Sequence, residues 1–458
     1  MKKLIALLLC LLMIVGMVAC GAKKGDGRPK ITPVEYDNPD PTPAETVEAA
    51  KVNAPNAEVK LSKEGEKPYE GQTLTVWTSY VEGTPTWEVA NLYIDRFAEV
   101  SGATIDVKHF GTDLGTVLPT ALDAGEDIDV FPLGSTIQLK ANFEHTMDLS
   151  EYIAGSDMLD RAYPIHMNII AQQSESGEAY HAIPTVSSFS AFWYNKAAFR
   201  AAGITEVPET IEEFEDVCQK LYDVGYNPIA LDAAYAVSTF GALVERMVGE
   251  EVVGEMTLSG GFAENERFVA ACQKIIDWRN AGYFDPQSPG AWPVSQNQIG
   301  LTQENVMVYT GMWVSGEIEE ATQSSLEWGC FKFPHDPTSE NGTYGASVSC
   351  TCNCINARST DVADLAWDYI YFMSTGEADK AITDADVYLT DDMTMEPLTR
   401  FTESKVIMEE TTEVVNYAGG LHDNADIKTS IGEVVTNLFS GKYADGASAA
   451  AAFDALVA

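Results

Sequence analysis

Apolar positions along the chain recur with two periods, and the order of those periods predicts an architecture. Leu74-Thr75-Val76-Trp77 is a short apolar strand, followed by the loop Thr78-Ser79-Tyr80. Val89, Ala90, Tyr93, Ile94, Phe97 and Ala98 then repeat at helical spacing. Thr104 to Phe110 alternates like a half-buried strand, and a helix near Leu114 to Ala124 leads to a third strand at Ile128-Asp129-Val130-Phe131. Strand, helix, strand, helix, strand implies parallel pairing with helices on both faces of a sheet. In open sheets of this kind ligands sit beyond the C-terminal ends of the strands. That rule selects Trp77, Thr78, Ser79 and Tyr80 after the first strand, and Gly134, Ser135 and Thr136 after the third.

A second alternating unit follows an extended crossing near Pro184 to Ala191. Phe192 to Lys196 starts a strand, and Thr210 with Glu213 forms a capping box at a helix start. Pro228 to Asp232, a helix near Gly241 to Val248, helices over Phe262 to Asn280 and Val294 to Gln303, and the strand Val306 to Tyr309 continue the pattern to Gly311-Met312-Trp313. From Gln72 onward the body has roughly 390 residues, more than one core comfortably organises, so two α/β lobes are expected.

The first residues read differently. Lys2 and Lys3 precede the apolar run from Leu4 to Ala19, and small residues stand at its end, which is the pattern of a secretory signal over 1–19. The run is short for a membrane span, which needs ~20 residues. Cys20 directly after the cut, with Gly21 next, resembles the lipobox of bacterial lipoproteins, although Met17 stands where leucine is usual. The resemblance implies acylation of Cys20 and export to the outer face of the cytoplasmic membrane; plain secretion is the alternative. From 20 to 71 the chain is rich in Pro, Glu, Lys and Gly with no sustained apolar period, so a flexible lipid-anchored linker is expected, with packing near Asn53 to Leu61 left open. About 50 residues of such coil would span on the order of 40 Å.

Charge narrows the partners. Lys and Arg number 28 against 69 Asp and Glu, a formal −41. Nucleic acid binding needs a basic groove, and an anionic membrane surface attracts basic clusters; this chain offers neither pattern. Cys218, Cys272, Cys330, Cys350, Cys352 and Cys354 allow 15 full pairings in an exported protein. Cys350, Cys352 and Cys354 share one face of a strand at ~6.5–7 Å spacing, at the edge of disulfide geometry, so three buried thiols are expected. No cofactor or metal is expected: His109, His145, His166, His181, His335 and His422 lack ligand spacing. Asp384, Asp386, Asp391 and Asp392 lack the glycine and closing Glu of a calcium loop and read as a solvated loop.

In order along the chain, DIDVFPLGS, MDLSEYI, AYHAIP, FWYNKAAFRAAGI, PETIEEFE, ENVMVYTGMW and LAWDYIYFMS resemble the family 1 extracellular solute-binding proteins. These are the carbohydrate-capturing lipoproteins of bacterial ABC importers, related to maltose-binding protein. The resemblance covers about Leu74 to Thr375 and implies a two-lobed, periplasmic-binding-protein-like α/β fold with a hinge and an interlobe cleft. Lobe 1 would hold 72–186 plus about 344–385, and lobe 2 would hold 187–343 plus about 386–458. It implies a monomer that captures a sugar, as an oligosaccharide, and hands it to membrane permease subunits.

Sugar capture specifies the residue types. A pyranose has a C–H face that packs on aromatic rings and a hydroxyl rim that needs donors and acceptors. Trp313 follows a strand and a glycine and matches the family's stacking Trp; a core position is the alternative. Trp292, in the turn-rich Pro289 to Pro293, is a second candidate. Trp77 stands at the edge of lobe 1, with inward packing equally compatible. Asp232, Tyr235 and Ser135 fall on loops the family uses at its cleft, and Ser79 and Tyr80 complete the expected set. Trp193, Trp278, Trp328 and Trp367 read as core or undecided. Catalysis is the competing class, as a secreted glycosidase or lyase. Carboxylate pairs carry no information among 69 acidic residues, and no H-E-x-x-H, G-x-S-x-G or Walker-type loop occurs.

Overall fold

The computed structural model describes residues 28–339, 341 and 345–457. The signal sequence and Cys20 lie outside them. Ten strands occur: β1 (Thr73–Thr78), β2 (Thr104–His109), β3 (Val130–Leu133), β4 (Ile183–Asn195), β5 (Asn227–Ile229), β6 (Asn305–Gly311), β7 (Trp328–Phe331), β8 (Gly345–Ala346), β9 (Val348–Ile355) and β10 (Glu413–Val414). Eight of them follow the order β2-β1-β3-β9-β4-β6-β5, with β7 also on β4; β8 and β10 pair separately.

β1 runs parallel to β2 and β3, as helices Pro85–Ser101 and Leu114–Ala124 between them require. β5 and β6 are parallel in the same way. One strand serves both halves. Ile183 to Phe189 of β4 pair with β9, and Ser190 to Tyr194 pair with β6. The chain therefore crosses from one lobe to the other without leaving extended backbone, and the expected crossing near Pro184 to Ala191 is the middle of β4.

Two large cores flank that crossing. Val76, Phe97, Ile183, Tyr369 and Phe372 pack together in lobe 1. Phe192, Phe214, Phe240, Tyr309 and Phe453 pack together in lobe 2. After β9, helices Ala363–Met373 and Gly376–Asp386 join the first core, while Lys428–Phe439 and Gly446–Val457 cover the second. Mixed parallel and antiparallel pairing with helices on both faces makes this a two-lobed α/β protein.

Three expectations need correction. The flexible linker placed over 20–71 is ordered from Arg28 onward. Thr42 and Glu45 form a capping box, Pro43 stands at N1, and helix Pro43–Asn53 buries Val47 and Ala50 against helices Pro85–Ser101 and Gly376–Asp386. Its buried face is narrow, Thr46, Val47 and Ala50, which carries little hydrophobic signal in the sequence. The third strand begins at Val130, because Asp129 instead accepts from Thr75 N (2.8 Å) and Ser359 Oγ (2.6 Å). The Asp384 to Asp392 stretch is no solvated loop: Asp384, Asp391 and Asp392 are buried, and Asp392 pairs with Arg161 at 2.7 Å. Among the described residues no group of three or more His, Cys, Asp or Glu is arranged to hold a metal ion.

Candidate functional site

The C-terminal end of β1 opens on a small pocket of about 70 Å³. Trp77, Thr78, Ser79 and Tyr80 form one wall. Thr351 and Asn353 of β9, with Thr185 and Val186 of β4, also line it. Asp379, Thr383 and Asp386 of helix Gly376–Asp386, with Tyr388 just beyond it, close the other side. A strand end, the crossing strand and the chain's return thus meet at one place.

The polar groups there are partly engaged. Asp386 accepts from Thr86 Oγ1 at 3.1 Å, and burial raises its carboxyl above the usual range. Burial raises the Tyr80 hydroxyl, with Asp386 and Asp379 adding to the effect. Tyr388 is pushed up to about 12 by burial, then by Asp386 and Glu317. Glu317 belongs to helix Val314–Thr322, and Val387, next to Tyr388, approaches that helix at Gly316, where a Cβ would sit 3.3 Å from Val387 Cβ.

Lobe 2 contributes an aromatic group. The Trp292 indole N–H donates to Glu317 Oε1 at 2.6 Å, and Gln296 Nε2 donates to the same oxygen at 3.0 Å. Tyr235 meets Trp292 edge-on, ring centroids 5.2 Å apart. Asp232 caps the turn carrying Tyr235 by accepting from Ala234 N at 2.6 Å, and its backbone bridges to Gly290. Trp313 begins helix Val314–Thr322, one turn from Glu317, and is 36% exposed. Its ring lies over Gly311: a Cβ there would sit 1.9 Å from Trp313 Cζ3. A close approach of this kind needs glycine.

The expected residues therefore separate. Asp232, Tyr235 and Trp292 are brought together, with Trp313 on the helix that carries Glu317. Ser79 and Tyr80 line the lobe 1 pocket. Trp77 presents only part of itself to that pocket: it is 4% exposed, and its ring packs on Phe110 with centroids 4.2 Å apart. Ser135 accepts from Gln138 N at 3.3 Å as a helix cap and is absent from the pocket lining. Trp193, Trp278 and Trp328 are buried, with indole N–H groups donating to Thr310 O, Glu215 and Glu319. Residues missed in the sequence are Asp386, Tyr388 and Glu317. Helical spacing from Trp313 was the one available signal for Glu317.

Two lobes joined by a continuous strand, with a polar and aromatic pocket at the junction, define the class of two-lobed binding proteins. The family model for bacterial extracellular solute-binding protein matches residues 88–380, and the chain belongs to that family. It is 22% identical over 298 residues to a multiple sugar-binding protein of Streptococcus mutans, covering 60% of this chain. The match spans 65% of the length of that curated relative. The fold is similar to the unliganded structure of RafE from Streptococcus pneumoniae, with TM-score 0.66, 18% identity, and 86% and 99% of the two chains covered. It is also similar to a chitin oligosaccharide binding protein, with TM-score 0.59, 18% identity, and 84% and 98% covered. No described helix is long and apolar enough to cross a membrane.

Proposed function

We propose that the protein is an exported substrate-binding lipoprotein that captures a carbohydrate, an oligosaccharide, in the cleft between its lobes. Acylated Cys20 would hold it at the outer face of the cytoplasmic membrane, where the loaded form delivers ligand to ABC permease subunits. The observation that carries this reading is the indole of Trp292 fixed by Glu317 beside Tyr235, with the hydroxyl and carboxylate lining of the β1 pocket adjoining through Tyr388. Flat rings suit the C–H face of a pyranose, and Thr, Ser, Asn and Asp suit its rim. The named ligands of the multiple sugar-binding and chitin oligosaccharide relatives support the same class.

Ligand would bridge both walls and raise the closed population, since only a ligand that binds the two states unequally shifts them. The lobes proposed here divide within β4, and the chain acts as a monomer. Calorimetry and thermal shift of the purified protein against neutral mono- and oligosaccharides test the reading, with reducing ends followed over hours. Saturable binding without release of reducing ends is expected. Steady release would favour a glycosidase or lyase, and absence of binding across the panel would remove the carbohydrate assignment.

A further inference from the structure

The chain from Arg28 to Ala57 touches both lobes before β1 begins. Arg28 Nη1 donates to Tyr226 O at 3.1 Å, and its guanidinium lies over the Tyr222 ring, 4.6 Å from the centroid. Pro29 O approaches so closely that a Cβ on Gly225 would sit 2.4 Å from it, and Gly225 has φ +107°. Further along, Val34 and Gln303 exchange two hydrogen bonds, N to Oε1 at 3.0 Å and Nε2 to O at 2.9 Å. Asp40 accepts from Thr399 N at 2.6 Å and from Arg400 N at 3.2 Å, and pairs with Arg400 Nε at 3.4 Å. All of these partners belong to lobe 2. Two residues after Asp40, the chain turns into helix Pro43–Asn53, which lies on lobe 1, and Arg96 Nε then donates to Ala57 O at 3.1 Å.

The junction between the two holds is short and firm. The Asp40 and Arg400 side chains are 4% and 8% exposed, and Arg400 Nη2 also reaches Glu319 Oε2 at 2.9 Å. Glu319 accepts from Leu326 N and Trp328 Nε1, and it rides on helix Val314–Thr322, which also carries Glu317. An ion pair desolvated to this degree resists separation, because breaking it strands a buried charge. Asp40 and Thr42 can lie at most ~7 Å apart, since extended residues reach at most ~3.3–3.6 Å each.

We infer that residues 28–57 form a strap across the two lobes, pinned at Asp40–Arg400, which limits how far the lobes part. Covalent crossings such as β4 form the hinge itself. The strap acts away from them, through side chains, and its pin abuts the helix that holds Glu317. This inference concerns the motion of the fold and stands whatever solute the cleft takes.

The test is an interlobe distance distribution by pulsed electron spin resonance on the full chain. Nitroxides are placed at Ile137 of lobe 1 and Leu258 of lobe 2, exposed by 79% and 67%, after substitution of each to cysteine. Cys10→Ser and Cys20→Ser prevent labelling at those positions, and Cys218, Cys272, Cys330, Cys350, Cys352 and Cys354 are buried. Two variants are compared with the parent: Asp40→Asn, and insertion of Gly-Ser-Gly-Ser between Pro41 and Thr42, which leaves every strap contact in place while adding ~13 Å of slack. Both are expected to broaden the distribution and lengthen its mean by several ångströms at unchanged circular dichroism. A distribution identical to the parent in the insertion variant overturns the strap, even where Asp40→Asn fails to fold.

Discussion

The Trp292 indole N–H and Glu317 Oε1 are 2.6 Å apart, so an aromatic plate at the start of helix Trp292–Gly300 is fixed in orientation by a carboxylate on the helix of Trp313. A ring held this way loses little freedom when a ligand stacks on it, which favours affinity. Replacing the carboxylate tests that arrangement. Glu317→Ala removes the acceptor of both Trp292 and Gln296 and is expected to weaken saccharide binding about tenfold or more, roughly 1.4 kcal/mol. Calorimetry reads the affinity, and melting of the free protein shows that the fold persists. Equal affinity would detach Trp292 from the cleft.

Trp313 and Gly311 act as a unit, because the ring occupies the space a Cβ would need. Trp313→Ala is expected to lower affinity at least tenfold. Gly311→Ala should approach the same loss by displacing the ring, with Trp313 fluorescence shifted in the free protein. A Gly311→Ala variant that binds as the parent does would show that the position of the ring is immaterial.

A pH dependence follows from three buried groups beside β4. Burial lifts the Asp379 carboxyl to about 7, although Thr390 and the N–H groups of Asp391 and Asp392 favour its charge. Burial, then the Asp379 charge, raises Asp391, which accepts from Ser187 Oγ at 2.6 Å. His166 Nδ1 lies 3.7 Å from Asp391 Oδ1, and burial lowers that imidazole to about 3. Tyr163, Cys350, Asp392 and Arg161 complete the surroundings.

The signs oppose. Acids raised in the fold stabilise fully below about pH 4 and lose that contribution as pH rises through about 7. A histidine lowered in the fold loses stability as pH falls from about 6.5 towards 3. Two raised acids outweigh one lowered histidine, so the parent should lose stability as pH rises from 4 to 6.5, by up to about 1.4 kcal/mol per pH unit. His166→Gln should steepen that loss to up to about 2.8 kcal/mol per pH unit, and Asp391→Asn, which leaves Asp379 against His166, should flatten it. Denaturant melts at several pH values measure this. Three parallel curves would show that the cluster does not titrate in that range.

Thr210 Oγ1 accepts from Glu213 N at 3.2 Å, and Glu213 Oε2 accepts from Thr210 N at 3.1 Å. Thr210→Ala should cost about 1 kcal/mol of stability. Saccharide affinity should stay unchanged, since the cap faces away from the cleft group; a parallel loss of binding would contradict that separation.

Local patterns made much of the fold legible. The helix expected from Leu114 to Ala124 has those bounds, and the Thr210–Glu213 box is present. Cys350, Cys352 and Cys354 are buried along β9, with the first two Sγ atoms 3.8 Å apart. Less was legible at the site. Alternation left open which way Trp77 would turn; the Phe110 ring drew it inward. Helix Pro43–Asn53 went unread because it buries only Thr46, Val47 and Ala50, too narrow an apolar face to show as a sustained period, and part of its packing comes from helix Gly376–Asp386, over 300 residues away.

Periodicity and capping in the sequence determined which segments are strands and helices, because those depend on neighbours three or four residues apart. They also determined the alternating order that makes an α/β protein. Only tertiary structure decided that Trp292 meets Glu317, that Asp386 and Tyr388 line one pocket with Tyr80, and that Asp40 pairs with Arg400. Those contacts join positions distant in the chain, where burial and close packing, rather than local preference, select the partner.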